Sequence, residues 1–207
     1  MHLNIAIAIC SLVLLAENAV AESAAIPPFG SNLEVRRETS YGYEMSGNYD
    51  GIAYSYGMSE SGAVINGAID GPRQGVWTID DPDRWVITVD RDQITDAVTW
   101  RIHHYQTGLM LTMTKSGQIA ATCIVGSDFP NRTARLRVGK AKAFSLFDGC
   151  STTIGPQLKE LLLIGGALTV RKFEWPHDYP KDEVGIADNF NKTLKLLNFL
   201  RSKNRDK

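Results

Sequence analysis

The chain has 207 residues, with 22 Lys and Arg against 23 Asp and Glu and a formal net charge of −1. That length suits one self-sufficient core and leaves no room for a second large domain. The near-neutral balance argues against binding a nucleic-acid backbone, which needs a clustered cationic face.

The first element reads as a secretory leader. An apolar stretch from Ile5 to Leu15 precedes the small-x-small sequence Ala19-Val20-Ala21, so residues 1–21 are expected to be removed as a signal peptide. The stretch is shorter than the roughly 20 residues that a membrane-spanning helix needs, and no membrane span is expected once the leader is cleaved. Glu17 and Cys10 leave with the leader, so the remaining formal charges cancel and Cys123 and Cys150 remain. Two cysteines in an exported chain predict a disulfide that closes a loop of about 28 residues and contributes about 3–4 kcal/mol in the chain-entropy model. The histidines His2, His103, His104 and His177 lack the spacing of a zinc site. No metal or cofactor is expected.

Residues 22–32, with Pro27-Pro28, read as a flexible entry segment, and residues 33–207 as a single β-rich domain. Short runs rich in Val, Ile, Thr, Tyr and Trp, punctuated by Gly, Asp, Asn and Pro, predict strands at 33–38, 42–46, 52–56, 63–69, 75–79, 85–90, 97–104, 109–114, 119–125, 133–138 and 143–147. Alternation is clear where Val98, Trp100 and Ile102 oppose Thr99, Arg101 and His103. After Cys150 the period changes. Ser151-Thr152-Thr153 offers N-cap hydroxyls, Pro156 fits a first turn, and Leu158, Leu161 and Leu162 recur at helical spacing until Gly165-Gly166. Residues 167–175 return to strand periodicity, with Leu168, Val170 and Phe173 inward, and Pro176 and Pro180 block extension. A last helix aligns Ile186, Phe190, Leu194, Leu197 and Arg201 on one stripe, opposite Lys192 and Lys195. The basic tail Arg201, Lys203, Arg205 and Lys207 reads as its solvated end. The fold class is therefore mainly β: an antiparallel β-sandwich or barrel with one short helix and a C-terminal helix.

The chemistry-bearing residues are few. His103 and His104 are adjacent on a strand, so they point to opposite faces and cannot share one ion or relay one proton; one is expected half-buried and one exposed. Asp80, Asp81, Asp83, Asp90, Asp92 and Asp96 fail the calcium-loop spacing, since Ile94 stands where an oxygen ligand is required, and read as turn formers. No nucleophile elbow, phosphate loop or dinucleotide glycine pattern occurs, so no catalytic residue is assigned. Asn131-Arg132-Thr133 and Asn191-Lys192-Thr193 match the glycosylation sequon and read as chance matches. Trp77, Trp85 and Trp100 read as core. Five of the seven tyrosines lie between Tyr41 and Tyr56. The spacing of Tyr41 with Tyr43, and of Tyr54 with Tyr56, puts each pair on one strand face, and these four are the candidate binding residues, an aromatic platform for a sugar or a protein partner.

One resemblance adds to this. Arg135-Leu136-Arg137-Val138, Phe144-Ser145-Leu146, Cys150, the helix ending in Gly165-Gly166, Leu168-Thr169-Val170-Arg171 and a closing helix with Phe190 and Leu194 resemble the invasion-associated locus B family of small secreted proteins. The resemblance covers the C-terminal half. It implies a periplasmic or surface-associated β-sandwich without catalytic residues, linked to envelope function and host contact. The expected function is thus a non-enzymatic secreted or periplasmic binding or accessory protein that recognises an envelope component, protein or glycan. The alternatives are a toxin- or enzyme-neutralising inhibitor, and a polysaccharide hydrolase using carboxylates such as Asp81, Asp90 and Asp96.

Overall fold

A computed structural model describes residues 28–31, 33–70 and 83–204. The expected leader, the strand at 75–79 with Trp77, the residues Asp80 and Asp81, and Arg205 and Lys207 lie outside the described residues.

The described chain forms β1 (Val35–Thr39), β2 (Gly42–Tyr49), β3 (Ile52–Ser59), β4 (Val64–Ile69), β5 (Trp85–Arg91), β6 (Val98–His104), β7 (Leu109–Met113) and β8 (Ile119–Ile124). There follow β9 (Thr133–Val138), β10 (Phe144–Phe147), β11 (Cys150–Ser151), α1 (Gly155–Ile164), β12 (Ala167–Phe173), β13 (Pro180–Ile186) and α2 (Phe190–Asn204). All strands belong to one antiparallel sheet, ordered β1 to β8 in sequence and then β11-β10-β9-β12-β13. The mainly β antiparallel fold with two helices is as the periodicity predicts.

The meander reverses at the disulfide. Cys123 on β8 and Cys150 on β11 are direct cross-strand partners and are bonded to each other. That staple brings the β9-β10-β11 excursion back onto β8, so β12 must add outside β9. The last strand then returns toward the first half: Ile186 donates its N–H to Asp83 at 2.9 Å, and His104 Nε2 donates to the Ile186 carbonyl at 3.2 Å. Close approach here requires glycine, because a Cβ on Gly185 would stand 2.3 Å from His104 Cε1. The sheet is curled, with its ladder open between β1 and β13.

Inside the curl lie Trp85, Ile87, Ile102, Leu109, Leu111, Leu136, Leu146, Leu168 and Val170. Trp85 and Trp100 are buried, as expected. Helix α2 covers β4 and β5, burying Phe190, Thr193, Leu196, Leu197 and Leu200. It lies so close to β4 that a Cβ on Gly67 would meet Leu200 Cδ1 at 2.6 Å.

Four expectations are corrected. Ile186 belongs to β13 rather than to α2, and the helix turns Leu196 and Leu200 inward where the predicted stripe favoured Leu194, which is only partly buried. The N-cap of α1 is Ile154 without a side-chain cap, because Ser151 is drawn into the β11 ladder and its Oγ serves Thr153 N at 3.3 Å. Pro180 does not end the strand region. It opens β13, an edge strand, where its missing N–H costs no ladder bond. Within the entry segment, Phe29 is packed into the core, stacked on Tyr49 at 4.1 Å between ring centroids.

Candidate functional site

Tyr54 and Tyr56 share a face of β3, with ring planes 1° apart, but the face is the inner one, and their exposures are 2% and 1%. The residues alternating with them, Ala53, Ser55 and Gly57, are too small to build a core, which is why the strand turns its tyrosines inward. Each phenol is satisfied by one carboxylate. Tyr54 Oη donates to Glu34 Oε1 at 2.7 Å, Tyr56 Oη donates to Oε2 at 3.0 Å, and Gly30 N–H donates to Tyr54 Oη at 3.2 Å. Burial, aided by the Glu34 carboxylate and opposed by the Gly30 N–H, pushes the Tyr54 phenol up to about 12. Burial and the same carboxylate raise Tyr56 as well. Tyr41 lies in the β1–β2 turn and is exposed, while Tyr43 is half-buried beneath the Arg36 guanidinium, 3.6 Å from its ring centroid. The four tyrosines therefore form no common exposed platform.

The histidines also separate. His104 is fully buried, with Thr107 Oγ1 3.1 Å from Nδ1, and His103 is half-buried on the other face, 3.1 Å from Thr88 Oγ1. Neither is exposed, where one was expected to be. Burial, and then the Arg101 charge, hold His103 below its ordinary range. Of the aspartates, Asp92 spends its Oδ1 on the Ile94 and Thr95 N–H groups at 2.9 and 2.7 Å, and Asp90 pairs with Arg101. The basic end of α2 is less solvated than predicted: Arg201 lies over Trp100 at 5.5 Å and Lys203 over Phe199 at 4.8 Å. Of the sequons, Thr193 is buried with its hydroxyl donated to Asn189 O at 2.9 Å, whereas Asn131 is exposed.

What strand alternation does expose is a cationic face near the C-terminus. Because Ala134, Leu136 and Val138 of β9 and Leu168 and Val170 of β12 point inward, Arg135, Arg137, Thr169 and Arg171 point out. The pairing register sets Ser145, Arg135, Arg171 and Asp182 in one row across β10, β9, β12 and β13, with Arg137 and Thr169 in the next. Arg135, Arg137, Thr169, Arg171 and Asp182, together with Ala143, line a groove of about 370 Å³. Arg171 grips Asp182 through two hydrogen bonds of 2.6 Å, which hold the carboxyl below its usual range. Arg135 donates to Ser145 Oγ. Among the described residues, no carboxylate pairs with Arg135 or Arg137. Three guanidinium groups thus meet one carboxylate, and Arg135 stands directly opposite Arg171, a like-charge pairing that weakens a sheet. Balanced charge is found nearby. Lys172 and Lys181 are shared between Glu174 and Glu183 at 2.7–3.6 Å and clamp the β12–β13 hairpin.

One row further along the same face, at about 7 Å by strand geometry, the surface turns aromatic. Phe147 is 65% exposed, and Phe173, expected inward, lies instead half-buried on this outer face under the Arg132 guanidinium at 5.6 Å, because strand alternation turns Lys172 rather than Phe173 inward with Leu168 and Val170. In the turn beyond, Trp175 is 62% exposed against Phe129, at 5.4 Å between centroids, and Tyr179 lies beside His177. Asp128 Oδ1 accepts the Trp175 N–H at 2.8 Å and fixes the chain there. A second hollow of about 250 Å³, lined by Ser127, Asp128, Phe129, Pro130, Asn131 and Asp148, occupies this end. Sequence reading missed this surface. Its signal was the Arg-x-Arg of β9 with Arg171 two strands of text away, visible only once β12 is known to pair with β9.

No protein-family model, no curated protein and no solved structure matches the chain. Among the described residues, no helix is long and apolar enough to cross a membrane.

Proposed function

We propose that the protein is a non-enzymatic accessory protein of the envelope or extracellular space that binds an anionic component across β9, β10, β12 and β13. The observation that carries this reading is the groove in which Arg135, Arg137 and Arg171 converge with Asp182 as their one carboxylate. A guanidinium presents paired donors that match carboxylate and phosphate oxygens, so a cluster of three is built for anions rather than for stability. The disulfide, which belongs to oxidising surroundings, and the expected leader support the location. The resemblance to the invasion-associated locus B family falls on these same strands and supports the envelope role.

The test is a titration of the purified protein with inorganic polyphosphate at low and at physiological salt. Salt-sensitive binding that falls at least about tenfold in Arg135→Ala/Arg137→Ala is expected, given the strength of charge-assisted pairs. In Asp182→Asn, which releases Arg171 from its internal partner, binding should tighten. Polyphosphate binding that is absent, or unchanged by both variants, would overturn the reading.

A further inference from the structure

We propose that the anionic component is a polysaccharide in which acidic sugars alternate with neutral ones, read by two adjacent subsites on this face. This rests on the anion-binding groove above and names what fills it. The groove end is cationic and the other end is not: beside Phe147 and Trp175 stand the carboxylates of Asp148 and Asp128, with Ser127 and Asn131, and the Arg132 guanidinium over Phe173 is already paired with Asp178. A polymer with a charge on every unit would meet the arginines well and be repelled at that end. A chain that places an acidic group in the groove and a neutral hydroxylated ring one step further fits both, since hydroxyls donate to carboxylates and ring faces stack on exposed aromatics.

The aromatic end is also a poor match to a protein partner. Protein interfaces centre on a contiguous, desolvated apolar patch. Here each exposed ring is flanked by charge or an imidazole: Phe147 by Asp148, Trp175 by Glu174, Tyr179 by His177 and Asp178. Single-stranded nucleic acid would use the rings, but its evenly spaced phosphates would run against Asp128 and Asp148.

The experiment compares four probes on the purified protein: a hyaluronate octasaccharide, whose acidic and neutral sugars alternate, a neutral dextran oligosaccharide, inorganic polyphosphate and single-stranded DNA of equal charge. Three proteins are compared, namely wild type, the groove variant Arg135→Ala/Arg137→Ala and the shelf variant Phe147→Ser/Trp175→Ala. Hyaluronate should bind wild type more tightly than polyphosphate or DNA of equal charge, and dextran should not bind measurably. The shelf variant should lose about tenfold for hyaluronate and nothing for polyphosphate, the scale expected for two lost ring contacts. Trp175→Phe should restore part of that loss. The groove variant should lose both ligands. Hyaluronate binding untouched by the shelf variant, or DNA binding more tightly than hyaluronate, would overturn the two-subsite proposal while leaving the anion groove intact. Polyphosphate binding untouched by the groove variant would overturn the groove itself. Both shelf residues are more than half exposed, so the melting temperature should be unchanged and serves as the folding control.

Discussion

Glu34 holds two buried phenols with its two carboxylate oxygens, and this one residue ties the chain preceding β1 to the inner face of β3. Its titratable consequence lies at high pH. Tyr54, at about 12, and Tyr56, also raised, keep their protons in the folded state well above the ordinary tyrosine value near 10. The folded state therefore retains protons that the unfolded chain has shed. The stability this supplies is complete below pH 10 and is lost as pH rises through about 12. Melting temperature measured across that window should fall steeply in wild type and less steeply in Tyr56→Phe, with phenolate absorbance showing a late-ionising class that shrinks in the variant. Residue-level reading of the sequence succeeded where alternation alone was needed. It paired Tyr54 with Tyr56 and separated His103 from His104. It failed on which face was inward, because a tyrosine serves equally well as a core residue with a satisfied hydroxyl or as a surface contact; the small residues Ala53, Ser55 and Gly57 held the answer.

The disulfide works at the scale of elements. Cys123–Cys150 joins β8 to a two-residue strand, β11, that could hardly hold its place through hydrogen bonds alone, and thereby positions the β10–β11 hairpin that carries Phe147. Reduction should lower unfolding free energy by about 3–4 kcal/mol on the chain-entropy scale, measured by denaturant unfolding with and without reductant. It should also weaken contacts at Phe147 more than those at Arg135 and Arg137, which sit on β9 between two paired neighbours. Equal stability in both redox states would contradict this role. Helix α2 offers a second expectation. Leu197 is fully buried against the sheet, so Leu197→Ala should cost about 2–5 kcal/mol in the same assay, whereas Lys195→Ala, on its exposed side, should cost little. Strands with a strong alternating pattern were legible within one or two residues, except that β2 and β3 run three residues past their expected ends at Ser46 and Tyr56. Strands β11 and β13 were not, since β11 exists through a long-range covalent bond and β13 opens on a proline and is dominated by charged residues, which an edge position tolerates.

For the molecule as a whole, net charge conceals the feature that matters. Near-neutral composition is compatible with a strongly cationic groove because the balancing carboxylates lie elsewhere, several at the aromatic end of the same face. Strand order creates that asymmetry. The reversal at β8 and β11 brings Arg135 and Arg171 into register although an α-helix separates them in sequence. Composition and periodicity specify an antiparallel β fold with a closing helix; they do not encode which distant strands become neighbours, and the groove is a property of that adjacency. The most direct measurement of the anion-binding claim is arginine-selective covalent labelling read by peptide mass spectrometry, with and without the hyaluronate octasaccharide. Protection concentrated at Arg135 and Arg137, with the exposed Arg36 and Arg91 on other strands labelled equally in both samples, is the predicted result. Full labelling of Arg135 and Arg137 at saturating ligand would contradict it.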